Sequence, residues 1–462
     1  MPRDLPASTT SSTATPDPAS PGPAQVSTAL LTDRYELTML QAALADGTAD
    51  RRCVFEVFSR RLPPGRRYGV LGGTGRVLEA LEAFRFDDPV LGWLADEHVV
   101  DDATLEWLAG YRFSGSIVGY AEGEAWFPGS PVLQVEGTFA EAVLLETLVL
   151  SVLNHDSAVA SAASRMTAAA GPRPCLEMGS RRAHEEAATA AARAAVVAGF
   201  AGTSNLEAGR RWGLATIGTS AHAFTLLHDD ERAAFEAQVA ALGAGTTLLV
   251  DTYDVRRGVE LAVEVAGTGL GGVRLDSGDL PALAREVRAQ LDALGATGTH
   301  IVVSSDLDEH AIAALAAAPV DSYGVGTSVV TGSGAPTCGM VYKLVAREDE
   351  HGVVRPVAKQ SAAKAGNEGR KAAARRVVDG RAVEEVVVGG SEDGVAAWRP
   401  AADQRPLLHE LVLDGAVLPG WTGAEGVRRA AARHAASRAE LPRAALRLSP
   451  DEAALPTVRV RV

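Results

Sequence analysis

Between Ser151 and about Val345, short apolar runs alternate with alanine-rich helical stretches, and the runs end in polar or glycine-rich text. A strand buried on both faces needs a continuous apolar run, and a parallel neighbour is reached only over a helical crossover. The alternation is therefore that of parallel βαβ units. Cys175–Met178 runs into Gly179-Ser180-Arg181-Arg182-Ala183-His184, and the helical stretch Ala187–Gly199 leads to Gly202-Thr203-Ser204-Asn205. Leu214–Ile217 ends in the turn Gly218 to His222, Thr247–Val250 in Asp251 to Asp254, and Gly272–Leu275 in Asp276-Ser277-Gly278-Asp279. His300–Val303 gives Ser304-Ser305-Asp306, and Asp321–Tyr323 gives Gly324 to Ser328. Any one such ending is ordinary turn chemistry. All of them together point to a (β/α) barrel, whose strands present their carboxyl ends on one face, rather than to an open sheet that binds only at its switch point.

The flanks read differently. Residues 1–27 are rich in Pro, Ser, Thr and Ala with no apolar core, a composition that predicts a disordered tail. Residues 28–150 predict an α/β N-terminal domain, with a helix from Arg34 capped by Thr32 or Asp33 and a strand over 53–58. After 345 the chain turns polar, and Lys359, Lys364, Arg370, Lys371, Arg375 and Arg376 form a basic stretch that reads as a solvated helix face. Strand-like 386–388 and 458–462 predict that residues 346–462 pack back on the N-terminal domain. A formal net charge of -14 opposes a general nucleic-acid or anionic-membrane surface, so neither partner is expected. No run approaches the ~18 apolar residues of a membrane span. Three widely spaced cysteines fit a reducing, cytoplasmic setting without a disulfide framework.

The chemistry gathers at the strand ends. Gly218 permits close approach of a ligand, Thr219 and Ser220 offer hydroxyls and amides to anions, and His222 follows where a helix can begin. Gly324, Gly326 and Thr327 offer successive amides, a nest for phosphate. Arg181 and Arg274 suit phosphate or carboxylate. Asp276 and Asp279 suit either a Mg²⁺ ion held through substrate oxygens or positive charge developing on a sugar ring. His222 could serve as proton donor or as nucleophile toward a phosphoryl group. Gly72–Gly75 lacks the Gly-Lys-Ser/Thr of a nucleotide loop, and the GxGxxG of 267–272 precedes a strand where a dinucleotide loop must follow one. The inventory points to chemistry on a sugar phosphate.

Thr-Asp-Arg-Tyr-Glu-Leu-Thr-Met (32–39), Gly-Ser-Arg-Arg-Ala-His (179–184), Gly-Thr-Ser-Asn (202–205), Gly-Thr-Ser-Ala-His (218–222), Val-Asp-Thr-Tyr-Asp (250–254), Arg-Leu-Asp-Ser-Gly-Asp-Leu (274–280), Gly-Val-Gly-Thr-Ser (324–328) and Tyr-Lys-Leu (342–344) occur in that order. The series resembles nicotinate phosphoribosyltransferase from about residue 30 to 345. The resemblance implies an irregular α/β barrel joined to an α/β domain, built as a homodimer. It implies transfer of phosphoribosyl from phosphoribosyl diphosphate to nicotinate, driven by ATP, with Mg²⁺ bound mainly through substrate phosphates. By the same resemblance His222 is the histidine that ATP phosphorylates, and Asp251 the acid that hydrogen-bonds and orients it. Tyr35 and Arg274 flank the nicotinate ring, with Thr219 near its carboxylate and Arg181 as an anion-binding group. Thr327 in its glycine loop meets the sugar 5-phosphate, and Asp276 and Asp279 stand around the ribose and its Mg²⁺.

Two departures stand out. Met178 replaces an aromatic residue that often precedes Gly179, and the basic stretch lacks the Pro-Gly of the family's C-terminal motif, so it is assigned no role. Among rivals, a nicotinamide-specific enzyme is disfavoured by Ser204, where an acid would suit an amide. A quinolinate enzyme has no use for a phosphorylated histidine. A non-catalytic regulator is opposed by intact His222, Asp251 and Asp276.

Overall fold

The strand Arg52–Ser59 is buried along nearly its whole length because both of its faces are covered. It lies inside a seven-stranded antiparallel sheet in the order 354–356, 340–348, 52–59, 133–138, 116–120, 408–413, 416–417. The computed structural model describes residues 26–358, 368–450 and 452–462. Most of the tail expected over 1–27, together with Lys359 and Lys364 of the basic stretch, lies outside the described residues.

The helix Arg34–Asp46 follows Asp33, and Leu37 and Leu40 are buried against the N-terminal core. No side chain caps it. Thr32 instead donates to the buried carboxylate of Glu36, which also accepts from the Thr147 amide at 3.0 Å and so pins this helix to the start of the next long one. That helix, Glu146–Ala170, runs through both major cores: Val149, Val152 and Leu153 pack in the N-terminal one, and Val159, Ala162, Ala163 and Met166 in the other. The boundary expected at 150 thus falls inside a continuous helix. Phe139–Ala170 is long and apolar enough to cross a membrane by length and composition, although two thirds of its most apolar window is buried inside the protein, as in a core helix.

The parallel sheet has the order 202–203, 175–177, 322–325, 300–305, 272–275, 247–249. Each strand pairs in parallel with its neighbour, and Thr203 makes a further parallel bridge to Thr216. With that bridge the sheet runs from Thr216 at one edge to 247–249 at the other, and among the described residues no ladder or bridge joins these two edges. The closed barrel expected from the sequence is therefore not seen in the hydrogen bonding, which describes an α/β fold with a parallel sheet open at one seam. The cause is local. Leu214–Ile217 is partly to fully exposed and meets the sheet only through the bridge at Thr216.

A third sheet, 404–406, 371–378, 381–389, 457–461, covers the first. Its contact is polar: Lys371 Nζ donates to Glu56 at 2.8 Å, Gln134 exchanges hydrogen bonds with the Lys371 backbone, and Tyr120 donates to Glu385 at 2.9 Å. The solvated helix face read for the basic stretch is corrected here. Lys371, Arg375 and Arg376 lie in the strand Lys371–Val378, and Arg375 is fully buried, paired with its cross-strand partner Glu385 at 2.7 Å and stacked 5.2 Å from the Phe127 ring centroid. Cross-strand carboxylates, invisible in a linear reading, make this burial tolerable. The Gly72–Gly75 loop turns its Gly73 and Gly75 amides onto the Glu122 carboxylate at 2.6 and 3.0 Å, and buried Arg193 pairs with that carboxylate.

Candidate active site

The carboxyl ends of the parallel strands meet around an open pocket of about 250 Å³ lined by Met178, Arg181, Arg182, Arg274, Asp276, Ser304, Ser305, Asp306, Gly324, Gly326 and Thr327. Its floor depends on glycine. A Cβ at Gly324 would stand 2.8 Å from Met178 Sδ and 3.1 Å from Ser304 Cβ, so the two side chains meet over the space that the missing methyl leaves. Buried Glu177 ties two of the loops together, accepting from the Gly179 amide and the Thr203 hydroxyl, both at 2.5 Å. Burial pushes its carboxyl above the usual range. Asn205 caps the helix Leu206–Trp212 through Ala208 N at 2.8 Å and donates to Ser180 Oγ at 3.0 Å.

His222 begins the helix His222–Leu227. Its Nδ1 is 3.1 Å from Thr252 Oγ1. Nε2, which makes no hydrogen bond among the described residues, stands 3.9 Å from Asp251 Oδ1 and 3.9 Å from Asp276 Oδ2. The orienting hydrogen bond expected from Asp251 is thus replaced, at this geometry, by Thr252. The Asp251 side chain is almost fully buried; its Oδ1 accepts no hydrogen bond among the described residues, while Oδ2 accepts from Asp276 N and Ser277 Oγ, both at 2.9 Å. Arg274 Nη1 donates to Thr219 Oγ1 at 2.7 Å, and its buried Nε has no hydrogen-bond partner among the described residues. Burial lowers the Arg274 guanidinium below its ordinary range, against the pull of Asp276 and Asp251.

Six of the expected residues, Arg181, Arg274, Asp276, Gly324, Gly326 and Thr327, line one pocket, and His222, Asp251 and Thr219 join it through Asp276 and Arg274. Two do not line it. Asp279 is exposed and caps the helix Leu280–Ala293 through Ala282 N at 3.2 Å. Tyr35 sits half-exposed in the first turn of Arg34–Asp46, beside Thr147 and Glu146, with its phenol pushed up to about 12 by burial and then by Glu146 and Glu36. Thr252, Ser277 and Ser304 also belong to the cluster; Thr252 and Ser277 follow Asp251 and Asp276 directly in sequence, and Ser304 reaches Asp276 across a strand pair, a contact that only register reveals. Glu231 is buried with Oε1 unpartnered among the described residues. Its carboxyl is pushed up to about 7 by burial and then by Asp254 and Asp251, against Arg257.

Residues 30–154 match the nicotinate phosphoribosyltransferase (NAPRTase) N-terminal domain, and residues 174–386 match the nicotinate phosphoribosyltransferase (NAPRTase) family. The chain is 58% identical over 438 residues to nicotinate phosphoribosyltransferase pncB1 of Mycobacterium tuberculosis, covering 93% of this chain and 94% of that one. It is 40% identical over 333 residues to the nicotinate phosphoribosyltransferase of Bacillus subtilis, covering 70% and 68%. The crystal structure of human nicotinic acid phosphoribosyltransferase superposes with a TM-score of 0.76 at 28% identity, covering 93% of this chain and 97% of that one.

Proposed function

The chain belongs to the nicotinate phosphoribosyltransferase family, and from that premise we propose that its strand-end pocket transfers phosphoribosyl to nicotinate with ATP cleavage coupled through His222. Nicotinate phosphoribosylation is the NAD-salvage step. The observation that carries the coupling is that Asp276 lines the pocket with Arg181, Arg274 and Thr327 while its other side faces His222. One carboxylate therefore borders both the sugar-phosphate space and the phosphoryl acceptor.

In the transfer, the pyridine nitrogen attacks the ribose C1 as the bond from C1 to the diphosphate oxygen breaks, and the electron pair leaves with diphosphate. Asp276 favours the positive character that builds at C1, and Asp279, outside the pocket lining at the start of the next helix, could act on the ribose only from the pocket's edge. Arg274 and Thr219 take the ring and its carboxylate, and Arg181, Gly324, Gly326 and Thr327 take the phosphates. The donor set suits an ion carried in by substrate oxygens: Asp276 and Asp279 offer single carboxylates, and among the described residues no three His, Cys, Asp or Glu side chains are grouped to hold a metal. Bound there, Mg²⁺ would stabilise the leaving diphosphate.

With the proton of His222 on Nδ1 toward Thr252, Nε2 keeps its lone pair. Nε2 attacks the γ-phosphorus of ATP, the bond to the bridging oxygen breaks, and ADP departs. Water later removes the phosphoryl group as inorganic phosphate. The sheet is read as an irregular barrel with one open seam, and the molecule as a homodimer. Leu31 and Tyr35 on the N-terminal segment, and Leu206, Leu226, Leu227 and Tyr253 beside the strand ends, are exposed apolar side chains that a second copy would cover. Three buried free cysteines, their thiols pushed up by burial to about 11 for Cys53 and about 12 for Cys175 and Cys338, fit the cytoplasm.

The test is incubation with phosphoribosyl diphosphate, Mg²⁺ and either nicotinate or nicotinamide, with and without ATP. Nicotinate mononucleotide formation stimulated by ATP is expected. A product from nicotinamide alone would overturn the substrate assignment, and an unstimulated rate would overturn the coupling.

A further inference from the structure

Each carboxylate facing His222 is held by one oxygen and leaves the other toward the imidazole, but the two are held unequally. Asp251 Oδ2 has two donors, the Asp276 amide and Ser277 Oγ. The amide is part of the backbone, so Asp251 stays in place even without the serine. Asp276 Oδ1 accepts from one group, Ser304 Oγ at 2.5 Å, and its Oδ2 is the atom 3.9 Å from His222 Nε2. A carboxylate with a single tether turns freely about its Cα–Cβ bond once that tether is lost. Arg274, on the same strand end, attracts it toward the pocket.

Ser304 is well placed to be a fixed tether. It lies in the strand His300–Ser305, where Val303 is in register with Leu275, so that Ser304 comes beside Asp276. On its other side it is in register with Gly324. It is buried, and the absence of a Cβ at Gly324 leaves the room it occupies.

We infer that Ser304 is a positioning residue that aims Asp276 at His222, and that this one hydroxyl links the sugar-phosphate pocket to the histidine. The inference rests on the reading of His222 as the phosphoryl acceptor. Losing the hydroxyl should weaken the link between ATP and transfer more than it weakens transfer itself. A hydrogen bond to a charged group typically contributes about 1.5–3 kcal/mol, equivalent to roughly 10- to 100-fold.

The experiment compares full-length wild type with Ser304→Ala, Ser304→Thr and Ser277→Ala. It reads phosphohistidine formed from ATP, and the ratio of ATP-stimulated to unstimulated mononucleotide synthesis. Ser304→Ala should lower both readouts by roughly 10- to 100-fold. Ser304→Thr, which keeps the hydroxyl on a strand-compatible side chain, should restore most of the loss, and Ser277→Ala should lose less than Ser304→Ala. A Ser304→Ala protein with wild-type phosphohistidine and ratio overturns the inference alone. So does an equal fall in stimulated and unstimulated rates that Ser304→Thr fails to rescue, because that pattern marks a merely structural role. A wild type that forms no phosphohistidine overturns the reading of His222, and the inference with it.

Discussion

His222 and Thr252 are joined by a 3.1 Å contact between Nδ1 and Oγ1 that leaves Nε2 turned toward two carboxylates. The ring is thus held from its Nδ1 side, and Nε2 is left without a hydrogen bond among the described residues. His222→Asn should abolish phosphoprotein formation and lower ATP hydrolysis by at least about 100-fold, while slow ATP-independent transfer persists because the pocket is intact. Acid-labile phosphoprotein in that variant would place the nucleophile elsewhere.

Tyr35 does not line its own chain's pocket, and its phenol, pushed up to about 12, stays a hydrogen-bond donor at neutral pH. If it closes the partner's pocket, Tyr35→Ala and Asp276→Ala each cripple a homodimer, yet a mixed dimer has one doubly damaged site and one intact site. Subunit exchange between the two variants should recover activity in proportion to the heterodimer formed. Verified heterodimers without recovery would rule out shared sites.

Glu231 has its carboxyl raised to about 7 from an ordinary value of 4.5, chiefly by burial and then by Asp254 and Asp251. A group whose folded value lies above its unfolded one adds stability that is fully present below the unfolded value and is lost as pH rises through the folded one. The loss therefore runs between about pH 4.5 and about pH 7. Glu231→Gln removes this dependence. Its melting temperature relative to wild type should rise from pH 5 to pH 8 by roughly 1–3 °C, and a flat difference would count against an ionising Glu231.

Arg375 and Glu385 face each other across two strands with both side chains fully buried. Arg375→Ala takes away the cation shared by buried Glu385 and Glu124 and should cost about 3–5 kcal/mol in chemical denaturation. Arg375→Met combined with Glu385→Leu removes that pair, leaves Glu124 to Arg405 and Arg433, and should recover part of that loss, the Tyr120 hydroxyl having lost its acceptor. Equal destabilisation by the single and double changes would show that the charge pair is not the cause.

The strand-end chemistry was legible because parallel strands buried on both faces are mostly apolar and turn polar toward where they stop, so Arg181, Asp276 and Thr327 stand out. Contacts that depend on register were not. Nothing in the linear order sets Arg375 opposite Glu385, or Ser304 beside Asp276, and a basic run with hidden carboxylate partners looks like a solvated one. The seam was illegible for a different reason: Leu214–Ile217 has the composition of a strand but forms only the Thr203–Thr216 bridge. Tyr35 stands in a recognisable motif, but that it does not line its own chain's pocket is a property of the fold.

That seam has a consequence for how the protein opens. The amides that follow Thr216 as far as His222 have no sheet ladder on the side of 247–249, and Gly218 has open space around its Cβ position. Deuterium should enter this segment through small local openings, whereas the strands Gly272–Leu275 and His300–Ser305, laddered on both sides, should exchange only when the whole molecule unfolds. The histidine follows a segment that a single bridge ties to the sheet, so a ligand gripping it should appear as slowed exchange in that segment while the laddered strands stay unchanged.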